Sequence, residues 1–174
     1  YLNNYFYFSD VKDLKYLFAY TVPLAAFISF SSTGVGTYSA VIYAFVVLPL
    51  LDVVFGKNTN NLDDETRNSK AINSLFDWML YFNLPIVFGL MSYFLFQVTT
   101  QSYTTSEWIG LSLSAGILLA TNGINVAHEL GHRQSLLERT MSKILYIPCL
   151  YMHFYIEHNF GYHMKVATPE DGAT

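Results

Sequence analysis

Apolar residues gather in four long stretches, roughly 16–30, 38–55, 78–98 and 108–127, parted by polar segments. A helix needs about 20 such residues to cross a membrane, so the pattern predicts four transmembrane helices, the first of them short and carrying Pro23. Between the second and third lies GKNTNNLDDETRNSK, polar and rich in turn formers, which predicts a solvent loop over 56–77. A fifth apolar run, ILYIPCLYMHFYI over 144–156, has about 13 residues and contains Pro148 and His153. It is too short to span comfortably and reads as an interfacial or protein-buried segment. On the fourth stretch Ser112, Gly116 and Ala120 make a stripe of small residues at four-residue spacing, the pattern of close helix packing. No internal repeat is visible.

Composition agrees with a membrane protein. Of 174 residues, 52% are hydrophobic and 13% charged, against about 25% charged in soluble domains. The chain starts at Tyr1 and stops within polar sequence, EDGAT, which predicts a piece of a longer protein. A net charge of -4 supplies no basic footprint for nucleic acid. With Cys149 as the one cysteine, an internal disulfide or a multi-cysteine metal site is excluded, so a metal must rely on His, carboxylate or Tyr.

The cations set an orientation. Lys12 and Lys15 precede the first stretch, Lys57, Arg67 and Lys70 follow the second, and Arg133, Arg139, Lys143 and Lys165 follow the fourth. All nine fall on one side of a four-span layout. The positive-inside rule makes that side the cytoplasm, with the N-terminus inside.

Histidines carry the chemistry. In NVAHELGHRQS, His128 and His132 stand at i and i+4, about 40° apart around a helix and about 6 Å along it, a spacing that chelates a metal. HELGH by itself also satisfies the zinc-protease pattern, with Glu129 as general base. A second group, EHNFGYH over 157–163, places His158 and His163 on the same side of the membrane. Polar residues clustered at one membrane depth mark function more often than packing, and a histidine-only site suits iron, copper or zinc.

HELGHR, HFYIEHNFGYH and the VATPED that follows resemble the first two histidine boxes of the integral-membrane alkane monooxygenases, and PLLD with FGKNTNN is similar to that family's second-span ending. The resemblance implies an all-α, multi-pass helix bundle in the bacterial inner membrane. It is a single membrane domain across 1–174, with a histidine-box region at 128–174 on the cytoplasmic face. It implies two iron ions held by His128, His132, His158 and His163, and the terminal hydroxylation of alkanes with dioxygen and electrons from rubredoxin. Three departures stand out. Tyr162 occupies the middle histidine position of the second box, the third histidine box expected downstream is absent, and Gly172 replaces a usual proline.

Supporting roles stay open between metal site and ordinary structure. Asp52, near the end of the second stretch, can accept a hydrogen bond from a ligand imidazole or simply cap a helix end near Lys57. Glu129 and Glu157 adjoin proposed ligands, and His153 is a core histidine or an outer partner of the site. Competing readings are an intramembrane zinc protease, a membrane desaturase or aromatic-methyl hydroxylase, and a non-catalytic metal-binding or scaffold protein. A protease zinc needs three protein ligands and an open position, which leaves the second cluster partly unexplained.

Overall fold

A computed structural model describes residues 17–55 and 74–158. Six helices follow in order: α1 (Leu17–Phe30), α2 (Gly34–Phe55), α3 (Ser74–Thr100), α4 (Thr105–Gly131), α5 (Leu136–Tyr146) and α6 (Met152–Ile156). No strand occurs among the described residues. Three helices, α2, α3 and α4, are long and apolar enough to cross a membrane, at 22, 27 and 27 residues. The pattern predicts four spans; α1 is apolar but shorter than the other three, so the count that length supports is three.

One predicted boundary moves. Residues 74–77, assigned by the sequence to the loop 56–77, belong to α3. Asp77 sits in the first turn there, where the helix dipole favours a carboxylate, and Leu75 and Phe76 are half-buried. The fourth helix runs past Ala127 to Gly131. Apolar composition marks membrane depth, whereas the hydrogen-bond ladder continues through polar residues.

The helices run up and down. At one end the Gln97 carboxamide donates to the Phe30 carbonyl (3.0 Å), and Gly34 N–H donates to Glu107 Oε1 (2.6 Å). Glu107 also closes a capping box with Thr104 at the start of α4. At the other end Asn122 of α4 reaches Asn83 of α3 (2.8 Å) and the Ala19 carbonyl of α1 (3.3 Å). Between these ends Ala26, Phe30, Ala40, Leu111 and Leu118 form a closed apolar core. Small residues set the approach: a Cβ at Gly110 would strike Thr37 and Tyr38 of α2, and Ser114 Oγ donates to the Thr37 carbonyl at 2.9 Å. The expected packing stripe, Ser112, Gly116 and Ala120, is exposed instead. The buried face of α4 carries Leu111, Ser114, Ala115 and Leu118.

Within α4, residues Leu119–Ile124 form a π-helical turn. Within α3, Pro85 removes an N–H from the ladder, the helix is interrupted at Phe82, and the Asn83 side chain donates to the Met79 carbonyl at 2.7 Å. Beyond α4 the chain folds back: α5 packs on the end of α4, where Ser142 Oγ donates to the Ala127 carbonyl (2.6 Å). A second core gathers Val87, Ala127, Leu130, Leu145, Tyr146 and Tyr155. The run 144–156 is therefore broken and partly buried. Its reversal passes through Leu150, whose φ of 52° is a left-handed conformation. That reversal brings the residues after α6 back to the end of α4.

Candidate metal centre

Since α4 stays helical through HELGH, His128 and His132 share a face, and their Nε2 atoms lie 3.0 Å apart. Two cis nitrogens each about 2.1 Å from a common ion stand about 3 Å apart, so the pair is already at chelating separation. His158, just past α6, completes a triangle, with ring centroids 4.4 Å from His128 and 5.2 Å from His132. One donor atom from each of the three lies within 4.8 Å of the others. His128 and His158 are half-buried and His132 is exposed. Phe154, one turn before His158, stacks on its ring at 4.9 Å with 14° between planes, and lies 5.9 Å from His128. This apolar plate fixes the imidazole plane and covers one side of the cluster.

Other residues named by the sequence lie elsewhere. His153 precedes His158 by five residues and so faces about 140° away on a helix; it is exposed and packs edge-on to Tyr151 at 4.8 Å. Glu129 is 3.5 Å from the Arg133 guanidinium, which also pairs with Asp77 of α3 at 3.2 Å. Glu157 is exposed. Asp52 is exposed too and forms no hydrogen bond or ion pair among the described residues. The end of α2 stands clear of packing there, with Val53, Val54 and Phe55 each more than three-quarters exposed. Tyr162, His163 and VATPED lie outside the described residues.

Several contributors escape a motif search. Buried Glu138 of α5 accepts a hydrogen bond from Tyr81 of α3 at 2.9 Å, which together with Arg133–Asp77 ties the α4–α5 hairpin to α3. Opposite charges at two predicted span ends were the available sign of Arg133–Asp77, and an aromatic residue four positions before His158 was the sign of Phe154. The Cys149 thiol rests against the carbonyls of Leu145 (3.4 Å) and Leu119 (3.7 Å). Burial pushes its pKa up to about 11, so it stays protonated at neutral pH and is no thiolate donor.

A cavity of about 560 Å³ lies among α1, α2, α3 and α4. Val22, Leu48, Met79 and Val126 give it apolar walls, and Glu129, next in sequence to His128, is among the residues that line it. The donor set fits a metal that prefers imidazole: three imidazole nitrogens converge, while Asp77 and Glu129 pair with Arg133, Glu138 accepts from Tyr81 and Glu157 is exposed.

These features define a class, a helix bundle with membrane-spanning helices and a histidine cluster at one end. No family model matches the chain. It is 37% identical to an alkane 1-monooxygenase of Pseudomonas putida over 148 residues, 83% of this chain and 36% of that one. It is 34% identical to alkane 1-monooxygenase 1 of Alcanivorax borkumensis over 130 residues (74% and 31%), and 30% identical to an alkane 1-monooxygenase of Acinetobacter baylyi over 131 residues (74% and 31%). The chain belongs to the alkane 1-monooxygenase family. It spans about a third of the length of the curated relatives it matches.

Proposed function

We propose that the protein hydroxylates alkanes at a terminal carbon, using two histidine-bound irons, dioxygen and electrons from rubredoxin. The observation that carries this reading is the convergence of three imidazoles at the end of α4, in a chain that has an apolar cavity along the same helix and whose relatives are named alkane 1-monooxygenase. His128, His132 and His158 are the ligands offered by the described residues, and His163 is a fourth. When bound, iron supplies dioxygen activation: one oxygen atom enters a C–H bond, and the other leaves as water with two electrons and two protons from the reduced carrier. This chain's own residues do the rest. Phe154 holds the His158 ring in plane. Arg133, clamped by Asp77, fixes the turn after His132. The apolar walls replace water around a hydrocarbon chain, favourable by about 0.8 kcal/mol for each buried CH2 group.

The test uses the full chain purified with its metal. About two irons per chain are expected, together with oxygen- and reductant-dependent formation of a primary alcohol from an alkane. Zinc alone with peptide cleavage, or iron content unchanged in both His128→Ala and His132→Ala, would overturn the reading.

A further inference from the structure

Helix α5 turns an apolar face outward. At 100° per residue, its buried residues Glu138, Ser142, Leu145 and Tyr146 fall on one side, whereas Leu136, Leu137, Thr140, Ile144 and Ile147 fall within about 100° of arc on the other. Leu136, Leu137 and Ile147 are more than half exposed, as is Leu150 at the reversal that follows. Thr140 is the polar residue of that arc, and its Oγ1 donates to the Leu136 carbonyl at 2.8 Å, so the hydroxyl needs no water. A helix with water on its outside carries charged residues there. A continuous apolar face bordered by cations marks contact with a membrane or a partner.

The border is cationic on one flank. Arg139 and Lys143 stand at i and i+4, between the outer face and Tyr146. Like charges at that spacing repel, and neither residue forms an ion pair among the described residues. Asp77 and Glu129 belong to Arg133, Glu138 accepts from Tyr81 on the buried side, and Lys143 Nζ lies 5.0 Å over the Tyr155 ring. Arg139 Nε is buried and has no hydrogen-bond partner among the described residues. A buried N–H without an acceptor is costly, and the edge of a guanidinium formed by Nε and Nη matches two oxygens of a phosphate. An anion bridging the two cations would also relieve their repulsion.

Depth decides which anion. Ser142 of α5 reaches the Ala127 carbonyl at 2.6 Å, and Ala127 is where the apolar stretch of α4 ends. That end of a membrane-crossing helix lies where acyl chains give way to headgroups, so α5 has hydrocarbon on one side of its outer face and phosphates at its cationic flank. We propose that α5 lies in the lipid leaflet at the histidine end of the bundle, and that Arg139 and Lys143 bind the phosphate of an anionic phospholipid. Arg139 donates through its Nε edge, and Lys143, on a flexible stem, supplies a point charge. A net negative headgroup is preferred to a zwitterionic one, because two uncompensated cations meet it.

The experiment uses the full-length protein purified with its metal in detergent and titrated with phosphatidylglycerol, phosphatidylcholine or inorganic phosphate. Binding is read from thermal stabilisation. Each variant's own midpoint in phosphatidylcholine is its reference, so a loss of folding is not read as a loss of binding. Phosphatidylglycerol is expected to bind about tenfold tighter than phosphatidylcholine, and Arg139→Gln and Lys143→Gln should each weaken it about fivefold. Arg139→Lys, which keeps the charge without the Nε edge, should recover part of the loss. A nitroxide attached at Thr140→Cys, in vesicles of phosphatidylcholine containing phosphatidylglycerol, should be reached by oxygen and shielded from a polar nickel chelate. Phosphatidylglycerol affinity unchanged in both glutamine variants, or matched by inorganic phosphate, would overturn the lipid site. Access to the nickel chelate would put the outer face in water, and access to neither reagent would show it covered by protein; either result overturns the placement of α5.

Discussion

At the scale of single residues, Tyr162, four residues after His158, is the departure from the histidine boxes that the sequence resembles. The two stand at i and i+4, the spacing that brings His128 and His132 to 3.0 Å. An imidazole at 162 would repeat that spacing, whereas a phenol removes a nitrogen donor. Tyr162→His should therefore raise iron content and hydroxylation. His158→Ala should lower both by more than the about 10- to 100-fold typical of outer partners. Metal analysis of the purified variants checks this, and equal iron in all of them would show that the second cluster holds none. A phenolate-to-iron absorption band, lost in Tyr162→Phe, would instead make Tyr162 a ligand. A second residue-scale expectation concerns Cys149. Burial pushes its thiol up to about 11 from the ordinary 9.0, so at pH 8 the thiolate fraction is about 100-fold below that of a free cysteine. Alkylation should be slower by about that factor and should accelerate on unfolding. The sign for stability follows: the unfolded thiol ionises first, so stability falls as pH rises from about 9 toward 11.

Among elements, the contact between α3 and the α4–α5 hairpin decides where the histidines stand. Arg133 and Asp77 are each about a third exposed, so solvent screens their pair and its coupling should be about 0.5–1 kcal/mol. A double-mutant cycle on thermal unfolding measures it: either single alanine should cost that much, and exchanging the two charges should recover part of it. Additive effects would remove the clamp from the account of the site. The same elements show what a reader of the sequence can and cannot see. The apolar runs give α2, α3 and α4 because burial in lipid leaves its mark on every residue of a span. The four-residue spacing of His128 and His132 is equally plain, as is the failure of 144–156 to cross. Hidden was the helical turn at 74–77, where polar residues belong to a ladder that composition reads as loop. Hidden too was the true packing face of α4, since Ser112, Gly116 and Ala120 match the small-residue pattern as well as Ser114 and its neighbours do. Only the partner helix distinguishes them.

Over the whole molecule, the described cations Arg133, Arg139 and Lys143 all lie at the histidine end of the bundle, which supports the proposed cytoplasmic placement of the cluster. Labelling of single cysteines at Asn61 and Gln101 should then report opposite sides of the membrane, and one shared side would reject that orientation. The two halves of the molecule meet in α4, whose lower part answers to α1 and α2 and whose upper part answers to α5 and α6. The π turn at Leu119–Ile124 lies between them and amounts to one residue added to a regular helix. It works as a phase shift, letting the two halves of one rod be aimed independently. Deleting Ala120 should regularise the rod and swing His128 and His132 by about 100°, away from His158. Such a protein should still insert and keep its helicity while losing its iron, so the aim of the metal centre would be set by a turn that carries none of its ligands.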